Sequence, residues 1–443
     1  MRGRAGLAAA LAALVATGTA DAARLMPAQK SALTAVNRAM AQGRIDHKAA
    51  ASDRAEIIRA GNLIRRLPSG RREHVAAALA QIASFPGRMT GPRAVALFGQ
   101  LSANNSYFAR HSAPAAKTDI VDADGVVYRY FPGRCFEFHP LAEFGALNAR
   151  VSAGDARGAE QLARALIARG VAQSGGAGWE YYFDFGGGRA PWLSGMAQAV
   201  AAQAFARAAT LVPRRATMFL RAARNAYRPI PGRLTTNVAA GPWIRLYGFA
   251  PMQVLNAQLQ AVVSLRKYVA KTGDTVAAML TRRLQRAAAA TLPRFDTGYW
   301  TYYSLPSRLS NLHYQDYVVR LLRMLSSADP RFEAAASRFA SYRRQPPAIR
   351  LAEGRLGEVR FWLSKPARTT VYSAAGRRTQ RLWLRGGWRT LAWKKPRRGG
   401  IYPIALTAVD VVGNRASFQA LPLVRVAHGA RTRSVRATSS SAS

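Results

Sequence analysis

The sequence predicts a mainly α chain, an α/α toroid or incomplete barrel of helical hairpins, followed by a small β-sandwich of immunoglobulin-like kind. Three observations carry that prediction. Apolar residues three and four apart recur through 159–344, as in Leu193, Met196, Ala197, Val200 and Ala204, or Leu255, Leu259, Val262 and Val263. Several of these runs carry small apolar residues nearly all round, which suits a ring in which each helix has neighbours on both sides. After Gln345-Pro346-Pro347 the period changes, and short alternating runs separated by glycine turns replace the helices.

The elements follow in order. Residues 1–23 read as a secretory signal: Arg2 and Arg4, an apolar run over 7–16 and the small-residue cleavage site Ala20-Asp21-Ala22. That run is too short to span a bilayer, so the mature chain is expected outside the cell, secreted or wall-associated, without stable membrane insertion. An N-terminal helical region at 24–118 has helices over 28–41, 49–67, 71–82 and 92–101, then a polar loop over 104–118. The toroid domain is expected at 119–345. It opens on a hairpin, because Asp124-Gly125 separates Ile120-Val121 from Val126-Val127-Tyr128. A helix begins at 141–148, and longer ones follow over 159–171, 193–211, 216–227, 251–271, 274–292, 314–327 and 330–344. The sandwich occupies 348–426, with strands over 359–363, 369–372, 390–393 and 402–409 and turns at Ala375-Gly376, Gly386-Gly387, Gly399-Gly400 and Gly413-Asn414. It lacks the cysteine pair of antibody domains. The tail at 427–443, basic and then serine-rich, reads as disordered.

At 443 residues and 49% hydrophobic content the chain has room for two or three packed domains. Its net charge of +43, almost all from arginine, fits an acidic polysaccharide or cell-surface glycan, and equally a compositional habit of the whole chain. No nucleic-acid partner is expected, because the arginines are spread without a reading motif. A single cysteine, Cys135, excludes an internal disulfide and reads as a small buried apolar residue. Asp122 and Asp124 lack the further ligands of a calcium loop, and His139 lacks the second histidine of a zinc helix. Gly186-Gly187-Gly188 lacks the Lys-Ser/Thr of a phosphate loop. Neither metal nor cofactor is expected.

Two stretches concentrate chemistry. Residues 179–192 hold Trp179, Tyr181, Tyr182, Phe183, Phe185 and Trp192 beside Arg189, aromatic faces suited to a sugar chain. Residues 295–317 gather Tyr299, Trp300, Tyr302, Tyr303, His313, Tyr314 and Tyr317, with turns at Asp296-Thr297-Gly298 and around Pro306, loops on which a scaffold can aim functional groups.

Over 126–344 the chain resembles the C-terminal catalytic domain of D-glucuronyl C5-epimerases. Three blocks carry the likeness: Trp192-Leu193-Ser194-Gly195-Met196-Ala197-Gln198; Tyr247 followed by Val254-Leu255-Asn256; and Phe295-Asp296-Thr297-Gly298 with Tyr303, Leu305 and Tyr314. The resemblance implies a helical toroid and inversion of carbon 5 of uronic acid residues within a polysaccharide. It implies that Tyr247, Tyr303 and Tyr314 are the catalytic residues lining the reacting ring. Tyr182, Arg189, Trp192, Gln198, Arg245, Asn256, Arg308 and His313 are the candidate substrate-binding residues, the arginines because guanidinium grips a carboxylate in two-pronged fashion. The chain departs from the family at Leu246, where a glutamate precedes the first tyrosine, and at Gln315, where a histidine follows the last. A glycan-binding protein without turnover and a polysaccharide lyase are the alternatives.

Overall fold

The structure is a computed structural model and describes residues 26–173, 175–306, 308–352, 358–372, 378–392 and 401–424. The expected signal at 1–23, the tail at 427–443, Trp393 and the turns at Ala375-Gly376 and Gly399-Gly400 lie outside the described residues. Among the described residues no helix is long and apolar enough to cross a membrane. The chain is mainly helical and divides into two compact units, Met1–Gln253 with Gln260–Gln285, and Val254–Leu259 with Arg286–Ser443.

The first unit begins with four helices, α1 (Pro27–Ala41), α2 (His47–Arg66), α3 (Ser69–Ala83) and α4 (Gly91–Phe108). Asp46 caps α2 by accepting from the Ala49 amide at 2.7 Å, and Thr90 caps α4. Helix α1 packs on α2 and α3, and α3 on α4, around Ala35, Val36, Ile57, Leu79 and Leu97. Helix α4 runs on to Phe108, through the start of the expected loop. Asn104 and Asn105 are polar by composition but buried, and Asn104 grips the backbone of Phe136 with both ends of its amide, at 2.8 and 2.9 Å.

That grip secures a strand the sequence left unread. β1 (Asp119–Val121) and β2 (Val127–Tyr130) form the expected hairpin, closed by Gly125 at φ +82° and by Asp122, which accepts from the amides of Asp124 and Val126. β3 (Phe136–Phe138) then pairs antiparallel with β2. Cys135 is buried as expected, its Sγ 3.5 Å from Glu137 Oε1. Burial pushes the Glu137 carboxyl up to about 7 and the thiol well above its ordinary range, so this cysteine is held as an unreactive thiol.

Helices α5 (Pro140–Ser152) and α6 (Ala156–Ala168), a short hairpin β4 (Val171–Gln173) with β5 (Gly176–Gly178), and the hairpin α7 (Gly195–Leu211) with α8 (Ala216–Tyr227) follow. From Gly195 to Ala209 every residue of α7 except Arg207 is buried, the all-round burial that its alanine-rich sequence anticipated. β6 (Thr235–Val238) pairs with β7 (Gly241–Ile244), and the chain continues into α9 (Leu255–Thr272) and α10 (Thr275–Phe295), whose residues are divided between the units.

In the second unit β8 (Tyr302–Ser304) and β9 (Arg308–Leu309) form a hairpin, and Ser304 bridges to Val254 at the start of α9. α11 (Leu312–Leu325) and α12 (Pro330–Ser341) pack as a pair, capped by Asn311 and Asp329. The remaining strands are β10 (Ile349–Ala352), β11 (Glu358–Leu363), β12 (Ala367–Tyr372), β13 (Arg378–Leu384), β14 (Gly387–Ala392), β15 (Ile401–Asp410) and β16 (Arg415–Val424). They form two antiparallel sheets, ordered β10-β11-β14 and β13-β12-β15-β16, around a shared core of Phe361, Leu363, Ala367, Val371, Leu391, Leu406 and Ala408. Lys365 is almost fully buried. Its ammonium is 2.9 Å from Asp410 Oδ2 and donates to the carbonyls of Tyr342 and Gln345, tying the sheets to the linker after α12.

Candidate active site

The candidate residues gather into two groups, one in each unit. In the first unit the loop from Trp179 to Trp192 folds back on itself: Tyr181 bridges Trp192, Phe185 bridges Gly188, and the triple glycine makes the turn, with Gly186 and Gly187 at positive φ. A Cβ on Gly188 would lie 2.3 Å from the ring of Phe249, so the turn is also a packing surface. The rings of Tyr181 and Trp192 stack 4.0 Å apart at 4°. Trp192 meets Tyr247 and Phe249 edge-on, and Tyr247 faces Phe185 at 5.3 Å. Trp192 is nearly buried and donates its indole N–H to the Phe183 carbonyl at 2.8 Å, so it forms the wall behind Tyr247. Phe185, 41% exposed, and the exposed Arg189 stand at the rim.

Arg245 follows β7, half-buried, with its backbone held by Leu234 and Gly195 and its guanidinium 3.4 Å from the Gly248 carbonyl. His139, read as structural, caps α5 by accepting from the Ala142 amide, and burial holds its imidazole down to about 3, hence neutral.

Two sequence expectations are corrected here. Tyr182 is 1% exposed and packs against Phe85 and Phe138, so it belongs to the core and offers no surface to a substrate. Gln198 is fully buried. Its Oε1 accepts from the Trp179 amide at 3.1 Å, and its Nε2 donates to the carbonyls of Ala177 and Ala226 at 2.9 and 3.1 Å, so it clamps the aromatic loop to the end of α8.

In the second unit Tyr303 on β8 and Tyr314 in the first turn of α11 place their ring centroids 4.6 Å apart at 50°. The Arg308 guanidinium lies over the Tyr303 ring at 5.2 Å, and His313 is exposed beside Tyr314 at 5.7 Å. Asn311 fixes Tyr314 by accepting from its amide at 2.9 Å. Trp300, buried under the hairpin, donates to the Ser310 carbonyl at 2.8 Å and holds the loop closed. Asn256 is buried at the start of α9, and its Oδ1 has no hydrogen-bond partner among the described residues. Gln315, at the family's histidine position, is fully buried between Thr301 and the Phe339 carbonyl. Tyr317 lies one turn on, its phenol pushed up to about 12 by burial.

Sequence reasoning left Phe249 and Arg134 out of the first group. Phe249 carries one side of the shelf, and Arg134 covers the face of Phe183 at 5.1 Å. The spacing of Phe249 two residues after Tyr247 was a weak signal; Arg134 had none. Among the described residues no group of three or more His, Cys, Asp or Glu side chains is placed to hold a metal ion.

Residues 173–341, which contain Trp192, Arg189, Arg245, Tyr247, Asn256, Tyr303, Arg308, His313 and Tyr314, match the family model of the D-glucuronyl C5-epimerase C-terminus. Over this segment the chain is similar to the D-glucuronyl C5-epimerase family. The epimerase match spans less than half of the chain and ends before the two sheets. No curated protein matches the chain. Similar solved structures include the endo-β-1,4-glucanase CMCax of Acetobacter xylinum, at 12% identity and a TM-score of 0.39 over 51% of this chain and 76% of that one. An endoglucanase of Komagataeibacter sucrofermentans gives 16% and 0.36 over 52% and 75%, and a D-mannose isomerase 13% and 0.34 over 46% and 58%.

Proposed function

We infer that the protein is a uronosyl C5-epimerase acting on glucuronic acid residues of an acidic polysaccharide outside the cell. One observation carries this reading: inside the segment that matches the epimerase family, two tyrosine rings pack with centroids 4.6 Å apart and a guanidinium lies over one of them. Inversion at carbon 5 begins when a base breaks the C5–H bond. The electron pair passes into the neighbouring carboxylate as an enediolate, and an acid on the other face returns a proton to C5, so substrate and product have the same composition. Tyr303 and Tyr314 act as the proton-transfer pair. Arg308 receives the substrate carboxylate and holds the charge that develops on it. In the first unit, Tyr247, backed by Trp192, is the tyrosine to which the family resemblance assigns a catalytic part, with Arg189 and Arg245 as carboxylate-binding candidates beside it. Asn256 is buried and lies out of reach of the sugar, while the exposed His313 flanks Tyr314. The reaction is redox-neutral and calls for no cofactor.

The same reading takes the helical hairpins as an α/α toroid, the two sheets as an immunoglobulin-like accessory, and residues 1–23 as an export signal. A second reading, glycan binding without turnover, is favoured by Leu246 at the family's glutamate position.

The test is incubation with uronate polysaccharides in deuterated water. Deuterium at C5 with inverted stereochemistry, lost in Tyr314→Phe while circular dichroism is unchanged, supports epimerisation. No exchange, alongside retained polymer binding, moves the assignment to the second reading, and an ultraviolet-absorbing unsaturated product identifies a lyase.

A further inference from the structure

The sheet β10-β11-β14 has one face in the core and one face outside. Phe361 and Leu363 of β11 are fully buried, so the alternation of the strand turns Arg360 and Trp362 to the outer face. Pairing then aligns a row across all three strands: Arg350 stands opposite Trp362, and Trp362 opposite Trp388. Neighbouring strands lie about 4.8 Å apart, so the two indoles are adjacent. Arg350 lies over the Trp362 ring at 5.0 Å, and Arg360 reaches diagonally over Trp388 at 5.3 Å.

Two features make this more than a covered sheet. Trp388 is 50% exposed, although indole is among the most costly side chains to leave in water. The two arginines beside the indoles are exposed as well. The row is also flanked on its outer side, because the ring of Tyr299 meets Trp362 edge-on at 5.5 Å. Side-by-side indoles offer faces on which pyranose rings can lie, and ordered guanidiniums beside them match the carboxylate that every uronate carries. Neither feature requires a cavity, and a flat row suits an extended chain.

We propose that this outer face, built on Trp362, Trp388, Arg350 and Arg360, is a second binding site for the uronate polymer, separate in sequence from the epimerase segment. The choice of ligand rests on the functional reading above. The face holds the polymer by indole stacking and carboxylate pairing, and it performs no chemistry.

The test uses the full chain in affinity electrophoresis through gels containing hyaluronan, a glucuronate polymer, with neutral dextran and single-stranded DNA as parallel probes. Trp388→Ala, whose side chain is half in water and contributes little to folding, and the pair Arg350→Gln/Arg360→Gln are compared with Trp383→Ala. Trp383 is an equally exposed tryptophan on the other sheet, 52% accessible. Loss of hyaluronan retention by about tenfold in the first two and none in Trp383→Ala supports the site. Equal retention in all variants overturns it, as does retention by DNA without retention by hyaluronan. Proton exchange on a short uronate oligosaccharide separates the two claims. If no exchange occurs on any substrate but retention is lost in Trp388→Ala, the binding face stands and the epimerase reading fails. If exchange occurs and Trp388→Ala leaves both retention and the polymer KM unchanged, only the binding face fails.

Discussion

The shelf around Trp192 and the pair formed by Tyr303 and Tyr314 are both aromatic, yet their polar atoms are used differently. On the shelf the Trp192 indole N–H is bound to the Phe183 carbonyl, and Tyr181 lies flat against the same indole. The neighbouring amide of Gln198 has its oxygen and nitrogen engaged with the backbone. In the tyrosine pair the surrounding structure is held by Asn311 and by Trp300, while Arg308 and His313 extend into water. On the proposed reading the shelf is a stacking surface and the pair carries the groups that exchange protons. Substitutions should therefore separate stability from turnover.

The largest effect is expected at the pair. Tyr303→Phe keeps the ring and removes the hydroxyl, so C5 exchange should fall about 10²–10⁴-fold while circular dichroism shows the chain still folded. A Tyr303→Phe protein of normal rate would break the contrast. Trp192→Ala should do the reverse at the shelf, costing about 3–5 kcal/mol of unfolding free energy in urea because it empties a nearly buried site. Retention of full stability would mean that the shelf is not packed as described.

A third prediction concerns pH. The Glu137 carboxyl, raised from 4.5 to about 7 by burial, binds a proton more readily in the folded chain than in the unfolded one. Its stabilising contribution is complete below pH 4.5 and is lost as pH rises through 7. The loss amounts to about 3 kcal/mol. Urea midpoints at pH 5 and pH 8 should differ less in Glu137→Gln than in the wild type; an equal difference in both would rule this carboxyl out as the source. Smaller again, Gln198→Leu leaves buried backbone groups unpaired and should cost about 1–3 kcal/mol, with little effect on rate beyond that of lost folded protein. At the rim, Arg189→Ala should leave stability within about 0.5 kcal/mol and raise the polymer KM about two- to fivefold, an effect that shrinks with added salt.

Much of the helical part was legible. The helices around Val36, Val200 and Leu321 were placed within a few residues, because burial against a neighbour imposes a period of 3.6 on apolar positions. The strands over 358–363 and 367–372 were visible as alternation for the same reason in sheet form. The errors fell where polar residues face inward. Asn104 and Asn105 looked like loop because their amides are hydrophilic, and the partner that makes them core, the backbone of Phe136, lies 32 residues from Asn104. The short pairs β4-β5, β6-β7 and β8-β9 are too brief to show a period at all.

The candidate site was legible as composition and only partly as geometry. Tyr181 and Tyr182 are adjacent and identical in type, and nothing local distinguishes them. One stacks under Trp192, and the other points into the core against Phe85. Gln198 sits at a family position and reads as a ligand, until its three backbone partners account for its amide. Arg350, Trp362 and Trp388 are far apart along the chain and become a row only through the register of three strands.

By itself the sequence determined the helical and two-sheet classes, the hairpin at Asp124-Gly125, the inert buried cysteine and the family likeness of the central segment. These depend on periodicity, on backbone conformations that few residues adopt, and on motif order, all of which are local. The tertiary structure alone decided which tyrosines meet, which glutamine is a clamp and which tryptophans share a face. Those outcomes depend on distances between residues remote in sequence, and a side chain's role is settled by the partner that satisfies its polar atoms.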